Sequence, residues 1–256
     1  APRLTEAFAY ETTVKNEVRG IGLDSSDLAR DFGSAGRRHS LVVMDWLGKY
    51  PEDPAQKFLG ENNTLSLLGQ ESGHRWLAFL EFRDRRGEPS DALVGRDRAH
   101  WSFFFDSDAS LMEGNDIEDL GGGSFRTVAT VRRYSLLDQY AMGLVPESAV
   151  RPFFYVEEPV NLSAERTKES APETGVTFTG TRRTVLIQDV VSLNGPRIPS
   201  ASASARVHRQ AFVYVTGAGR TADPGHVARI DRIRRAWEGF FGRATDDRMR
   251  VVTTLR

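Results

Sequence analysis

An uninterrupted apolar stretch from Asn62 to Phe82 constrains the fold of this chain more than any other segment. It contains no proline, and its leucines recur at the spacing of one helical face. Its first three residues all have side chains that can cap a helix start. The pattern therefore predicts a long helix, buried on most sides, within an α+β fold.

Three polar side chains interrupt the apolar surface of this predicted helix. Gln70 and His74 are spaced i, i+4 and share a face, where two side chains can hold one metal ion. Glu71 has the position of a base that takes a proton from water. Because a neutral amide oxygen is a weaker donor to zinc than imidazole, such a site would bind zinc less tightly or prefer a harder ion. The alternative is that His74 is a hydrogen-bonded core histidine.

A histidine and a methionine follow this motif. His100 opens an aromatic segment, and Met112 ends a Ser-Leu-Met sequence further on. The order resembles that of metzincin peptidases, over about residues 40–145. The resemblance implies a zincin-like fold, with a twisted mixed sheet packed on a long active-site helix, and peptide-bond hydrolysis. It also implies a turn with Met112 beneath the metal and a zinc site formed by Gln70, His74, His100 and the base Glu71.

Departures from the metzincin pattern leave the third ligand open. Gln70 replaces the first histidine of H-E-x-x-H. Leu77 and Leu80 replace the glycine and the third histidine, so we expect the helix to continue there and His100 to come from a separate segment. The other large zincin group uses a downstream glutamate instead. Imidazole is the commoner zinc ligand, so we expect His100 ahead of the carboxylates. The carboxylates are those of Glu113, Asp106 and Asp108. Each could be the third ligand or could orient a histidine that binds the metal.

The segment from Arg133 to Leu144 has the pattern Y-S-x-L-D-x-Y-x-M-G-L. It resembles a helix that follows the metal loop in uncharacterised bacterial proteins of the metallopeptidase type. Ser135 predicts the N-cap of this helix, with Asp138 in its first turn. Similarity to zincins implies that the Tyr134 hydroxyl can stabilise an oxyanion. The alternative, which we favour, is a buried tyrosine whose hydroxyl is hydrogen-bonded.

The composition fits one large globular domain. The 256 residues are 39% hydrophobic and 10% aromatic, enough to bury a sizeable core. We expect a single zincin-like domain over residues 1–256, with its metal-site core at about 40–145. A C-terminal α/β part, at about 146–256, is expected to contain a strand–helix–strand region.

Charge and cysteine content narrow the partners and the chemistry. The formal net charge of −1 gives no electrostatic reason to expect nucleic acid or an anionic membrane as partner. The chain has no cysteine, which excludes disulfides, thiolate ligands and a cysteine nucleophile. No apolar run approaches the ~20 residues that span a bilayer. We expect a peptide or protein substrate, and zinc, another divalent ion or no metal as cofactor; the oligomeric state is left open. The start Ala-Pro-Arg fits a removed signal, so an extracellular or cell-envelope location is expected.

Short strands and a C-terminal helix complete the prediction. Strands are predicted at 40–46, 124–131, 153–156, 176–179 and 210–215, a strand or buried turn at 101–105, and a strand that becomes a helix at 184–193. Asp223 predicts the cap of a last helix with Pro224 in its first turn. Its apolar face is predicted to comprise Val227, Ile230, Ile233, Trp237 and Phe240, and its solvated face Arg229, Arg232, Arg234 and Arg235.

Three functional hypotheses follow. The chain is a zinc-dependent metallopeptidase, weakened or inactive because of Gln70; or it is a catalytically dead zincin-fold protein that binds a peptide or glycan. The third hypothesis is a structural domain whose likeness to H-E-x-x-H is accidental. Only this last hypothesis predicts that His74 and His100 lie far apart, since ligands of one zinc ion each lie about 2 Å from it.

Overall fold

A computed structural model describes residues 8–162 and 165–254, which form an α+β fold. This confirms the predicted class. Within these residues there are four α-helices: α1 (Thr64–Gly73), α2 (Leu136–Ala141), α3 (Ile187–Asn194) and α4 (Pro224–Ala244). The strands are β1 (Tyr10–Thr13), β2 (Lys15–Asn16), β3 (Ser26–Asp27), β4 (Ser40–Val43), β5 (Phe82–Arg83), β6 (Pro89–Ser90), β7 (Asn115–Gly121), β8 (Ser124–Thr130), β9 (Phe153–Val160), β10 (Thr177–Val185), β11 (Val207–Arg209) and β12 (Arg250–Val252).

The strands form five small sheets rather than the single twisted mixed sheet that the resemblance implies. The largest is antiparallel, in the order β7-β8-β10-β9, and β1–β4, β2–β3 and β5–β6 are antiparallel pairs. Helix α1 contacts the β1–β4 pair and α4. The predicted strands at 40–46, 124–131, 153–156 and 176–179 correspond to β4, β8, β9 and β10.

Two hydrophobic clusters fill the interior of the described residues. The smaller lies on the four-stranded sheet and includes Phe178, whose ring contacts those of Phe104 and Phe125. The larger surrounds α1 and extends from Ile21 to Val251. Residues from both ends of the chain therefore enclose the polar turn of α1.

Helix α1 begins where the capping side chains predict. The Asn63 side chain accepts hydrogen bonds from the backbone N–H groups of Leu65 and Ser66, both at 2.9 Å. The Ser66 hydroxyl accepts in return from the Asn63 N–H at 2.9 Å, which completes a capping box. All ten residues of α1 are buried.

Helix α1 ends at Gly73, so the predicted extent to Phe82 is wrong. The N–H groups of Trp76 and Leu77 both bond to the Gly73 carbonyl, and Ala78 adopts the left-handed region with φ of 68°. The residues that follow are still largely buried, but in an irregular turn. Apolar spacing indicates which residues are buried, and here the buried residues continue past the end of the helix.

The C-terminal part has strand–helix–strand order, with different strands from those predicted. Strands β11 and β12 are parallel and flank α4 in the sequence. Residues 210–215 form no strand, which corrects that prediction. Val213 and Val215 of this segment are 78% and 81% exposed. An alternating pattern produces a strand only where a partner strand satisfies its backbone.

Helix α4 packs on the core through a narrower face than predicted. Asp223 caps it through the His226 N–H at 2.9 Å, as expected. Ile233 and Trp237 are buried, whereas Val227 is exposed.

Arg229 is also buried, which corrects its assignment to the solvated face: its guanidinium donates to the Tyr50 carbonyl and pairs with Glu52. In the described part of the chain no helix is long and apolar enough to cross a membrane.

Candidate functional site

The last turn of α1 presents the polar residues of the motif to the interior. Gln70 and Glu71 are buried, and His74 is the half-buried C-cap. The His74 N–H bonds to the Gln70 carbonyl at 3.2 Å, so the helical spacing of the two side chains is kept although the helix ends here.

His100 reaches the same place from a separate segment, as expected. Its ring nitrogen Nδ1 lies 2.9 Å from the Arg96 carbonyl oxygen, and its Nε2 lies 3.1 Å from the amide nitrogen of Gln70. Because a carbonyl only accepts, Nδ1 bears the proton and Nε2 keeps its lone pair. A backbone carbonyl that fixes the tautomer in this way is a common support of metal-binding histidines.

The two histidine rings are close neighbours. The ring centres of His74 and His100 are 5.0 Å apart and the rings are nearly perpendicular, at 89°. Two imidazoles that share one tetrahedral ion at about 2 Å have ring centres about 5 Å apart. The separation is thus suitable for a shared ion, and it also allows an edge-to-face contact.

Two buried polar atoms in this cluster lack a hydrogen-bond partner among the described residues. They are the amide oxygen Oε1 of Gln70 and the ring nitrogen Nδ1 of His74. A buried polar atom without a partner costs free energy, on the order of 1–3 kcal/mol. Burial, followed by the charges of His100 and Arg96, lowers the pKa of His74 to about 3, so its ring is neutral at physiological pH. Unpaired lone pairs on neutral groups are what a cation needs, and this donor set fits a divalent ion.

The Glu71 carboxylate beside these donors is poised to exchange a proton near neutral pH. Burial, with smaller contributions from the negative charges of Glu11 and Glu113, raises the pKa of Glu71 to about 7, against the positive charge of Arg96. A general base works best when its pKa is close to the working pH. The acidity of Glu71 therefore suits the role predicted for it.

The alternative carboxylate ligands are engaged elsewhere. Glu113 binds the guanidinium of Arg96, with Oε1 2.5 Å from Nη2. Asp106 accepts from the Ile117 N–H at 3.0 Å, and Asp108 is exposed beside Arg133. Among residues 8–162 and 165–254, no group of three or more His, Cys, Asp and Glu side chains is arranged to hold a metal. Beside His74 and His100, the Gln70 amide is the polar side chain that could serve as a third ligand.

Met112 lies directly against the end of α1. It is fully buried, and its Sδ is 2.5 Å from where a Cβ on Gly73 would be. Its carbonyl also accepts from the Trp101 N–H at 2.9 Å, which joins the methionine segment to that of His100. The absence of a side chain at Gly73 is what lets the thioether approach.

Tyr134, just before the N-cap of α2, and Asp138, within α2, support the site. The fully buried Tyr134 hydroxyl donates to the Gly69 carbonyl at 2.6 Å, which favours the structural role over oxyanion stabilisation. Asp138 accepts from the Trp101 indole at 2.9 Å, the Ser110 hydroxyl at 2.6 Å and the Ser135 N–H at 2.7 Å. One carboxylate thus connects three segments of the chain.

Two charged neighbours of the site were not predicted. Arg96 binds Glu113 and orients His100 through its carbonyl, and Glu11 of β1 acts on the acidity of Glu71. Burial raises the pKa of Glu11 itself to about 7. Glu11 is distant from the motif in sequence, and only the packing of β1 on α1 brings it near.

Comparison with known proteins gives no relative from which a family could be assigned. No family model, no curated protein and no solved structure matches the chain significantly. The function is therefore argued from the site itself.

Proposed function

We propose that this protein is a divalent-metal-dependent hydrolase of peptide bonds, with a zincin-like site. In this proposal Gln70, His74 and His100 hold the ion and Glu71 is the general base. The peptide bond as substrate, and the zincin-like arrangement, are supported by the motif order that resembles metzincins and by Met112 packed under the end of α1.

One observation carries the proposal. Gln70 and His74 from the end of α1 converge with His100 from a second segment, and two buried polar atoms of this group have no partner among the described residues. Structural histidines in a core are normally hydrogen-bonded, because an unpaired buried group costs free energy. A cation would offset this cost for the Gln70 oxygen and for an imidazole nitrogen.

The chemistry of the chain's own groups follows from their acidity. A divalent ion at this site would supply Lewis acidity, which lowers the pKa of water and polarises a carbonyl. The Glu71 carboxylate accepts the proton of the attacking water and then donates it to the leaving amine nitrogen. Without an ion, burial raises the pKa of Glu71 to about 7. The positive charge of an ion beside it would lower this pKa, which keeps the carboxylate ionised and able to accept the proton. Arg96 keeps the Glu113 carboxylate engaged and so limits the negative charge beside Glu71.

Metal content tests the proposal. The protein, purified without chelator or added metal, is analysed by elemental mass spectrometry, and again after addition of zinc or manganese and removal of the excess. We expect about one ion per chain in the wild type, in keeping with a single site. The variant His100→Gln should lose it.

The matched control is His226→Gln, which removes an exposed histidine whose ring bonds to Tyr214 at 2.8 Å. It should bind as much metal as the wild type. A protein that stays metal-free after zinc and manganese addition, or that binds equally well without His100, contradicts the proposal.

A second candidate function is favoured by the contact between Gln70 and His100. The Gln70 amide can donate to the lone pair of His100 Nε2, and it thereby occupies the lone pair that a metal would need. A metal-free protein that binds a peptide or glycan without cleaving it would be compatible with this bond. Absence of metal together with retained, saturable peptide binding would support this candidate.

A further inference from the structure

A basic pocket has none of Gln70, His74 and His100 in its lining. It has a volume of about 390 Å³, and its lining includes five cationic side chains and one carboxylate, that of Glu17. The cations are Lys15, Arg37, Arg75, Arg197 and Arg209. Because the whole chain has a formal net charge of −1, this is a local concentration of positive charge.

Two of the five cations are already engaged. Arg197 donates to the carbonyls of Ala141 at 3.2 Å and Met142 at 3.1 Å, which fixes it as part of the wall. Lys15 pairs with Glu17 at 3.0 Å and with Asp27 at 3.5 Å. Glu17, the only carboxylate in the described lining of the pocket, is therefore already paired with Lys15.

The other three cations, Arg37, Arg75 and Arg209, make no side-chain hydrogen bond or ion pair with any described residue. Arg75 is the most informative, because it is half-buried and its guanidinium lies 4.6 Å from the ring centre of Trp76. Arginine is seldom buried without a partner, since its charge loses hydration. Burial lowers the pKa of Arg75 to about 10, against the charges of Glu11 and Glu17, so it remains protonated at neutral pH.

Two imidazoles in the same pocket are affected by this charge. Burial, and then the positive charge of Arg75, lowers the pKa of both His39 and His208. The neutral His208 ring lies between Trp76 and Phe241, at 5.6 Å and 5.9 Å between ring centres. The pocket thus combines an aromatic wall with three arginines that have no direct hydrogen-bond or ion-pair partner among the described residues.

We propose that this pocket binds an oxyanion group, a carboxylate or a phosphate, carried by an organic ligand. The guanidinium groups pair with the oxygens in the planar geometry that arginine favours for both groups. The rest of the ligand contacts the apolar wall, which includes Val18, Met142 and Met249. The volume is in the range of small-molecule sites, about 300–1,000 Å³.

The site is independent of the proposed hydrolase. Its lining shares no residue with Gln70, His74 or His100. Oxyanion binding should therefore persist in metal-free protein and in the His100→Gln variant, so failure of one proposal leaves the other standing.

Calorimetric titration tests the proposal with two probes, inorganic phosphate and acetate. Each is added at neutral pH and constant ionic strength, with chloride as the balancing salt. We expect saturable binding of at least one probe, with a Kd of about 1 mM or tighter. Preference for phosphate or for acetate identifies the group that the ligand carries.

Three substitutions complete the test. Arg75→Gln and Arg209→Gln should each weaken binding about tenfold, because each removes a charge-assisted contact. Arg209 is exposed, so its variant stays informative if Arg75→Gln fails to fold. Arg151→Gln removes an exposed arginine that does not line the pocket and should leave the Kd unchanged. No saturable binding of either probe, or equal affinity in Arg209→Gln and the wild type, overturns the proposal.

Discussion

The amide nitrogen of Gln70 lies 3.1 Å from Nε2 of His100, where the first and third ligands of a histidine-based zinc site would meet. Since His100 Nδ1 is bonded to the Arg96 carbonyl, the free lone pair of the ring points at Gln70. The residue that departs from the H-E-x-x-H motif is thus in direct contact with the histidine expected as third ligand.

This contact makes Gln70→His the most direct test of metal affinity. Replacing the amide by an imidazole should raise zinc affinity at least about tenfold. Residues that only hydrogen-bond to a metal ligand already change metal affinity by about 10–100-fold, and this substitution changes a proposed ligand itself. Competition with a chromophoric chelator measures the change. Gln188→His, at an exposed position of α3, is the matched control and should not alter affinity. Equal zinc affinity in Gln70→His and wild type would exclude a zincin-type site here.

Glu71→Gln should abolish hydrolysis of a casein or peptide substrate while the metal content stays at the wild-type level. The amide keeps the size of the side chain but cannot accept the proton of water. Loss of metal in Glu71→Gln would instead identify Glu71 as a ligand.

The same carboxyl makes folding stability depend on pH. Burial raises the pKa of Glu71 to about 7 in the folded protein, from 4.5 for a solvated glutamate such as that of the unfolded chain. The folded state therefore binds the proton more tightly, and the contribution of this group to stability falls as the pH rises from about 4.5 to about 7. Glu71→Gln removes this effect. Its gain over the wild type should be absent below that window and approach about 3 kcal/mol above it.

Urea denaturation of the metal-free proteins at a series of pH values measures this gain. Glu88→Gln is the control, since Glu88 is exposed and its side chain has no bond to any described residue. Its stability difference from the wild type should not vary across the window. A flat difference for Glu71→Gln would show that its carboxyl is not desolvated.

Tyr134→Phe should lower the free energy of unfolding by about 1–2 kcal/mol, because it removes the donor to the buried Gly69 carbonyl. Turnover per folded, metal-loaded molecule should remain at the wild-type level. Tyr10→Phe is the comparison: that hydroxyl is unbonded within the described residues, so the loss should be small. A fall in kcat with unchanged stability would restore the oxyanion role.

Gly73→Ala and Gly239→Ala should have opposite effects on thermal stability. At Gly73 a methyl group would meet Met112 Sδ at 2.5 Å and the Tyr134 ring at 3.3 Å, so overpacking should cost about 1–3 kcal/mol. At Gly239, exposed within α4, the nearest atom is an Arg243 nitrogen at 3.3 Å. Alanine should stabilise the helix there by about 0.5–1 kcal/mol. A Gly73→Ala variant as stable as the wild type would show that Met112 is loosely held.

Local rules succeeded where a residue's role depends on its immediate neighbours. Ser135 and Asp223 cap helices as predicted, and Asn63, one of three candidates, caps α1, because capping requires only the next few N–H groups. The end of α1 was missed because burial continues past Gly73 without the helix. The strand predicted at 210–215 does not form, because no partner strand pairs with this segment within the described residues.

The candidate site was predictable only in part for a related reason. Gln70, Glu71 and His74 share one helical turn, so their spacing in the sequence predicts that they lie together. His100 is predicted beside them because imidazole is the commoner zinc ligand. Arg96 and Glu11 affect the site through charge at a distance in sequence. Neither has a local pattern that distinguishes it from a solvated residue. The same holds for Arg229, whose burial depends on the Tyr50 carbonyl.

Asp138 couples the unfolding of the three segments that surround the site. Its carboxylate joins the indole next to His100, the Ser110 hydroxyl near Met112 and the start of α2. Three segments that share one acceptor cannot open separately without leaving a buried charge or donor unpaired. On heating, the histidine, the methionine turn and α2 should lose amide-exchange protection together. Partial unfolding that spares half of the site would then be rare, so molecules in which only one of the three segments is displaced should scarcely accumulate.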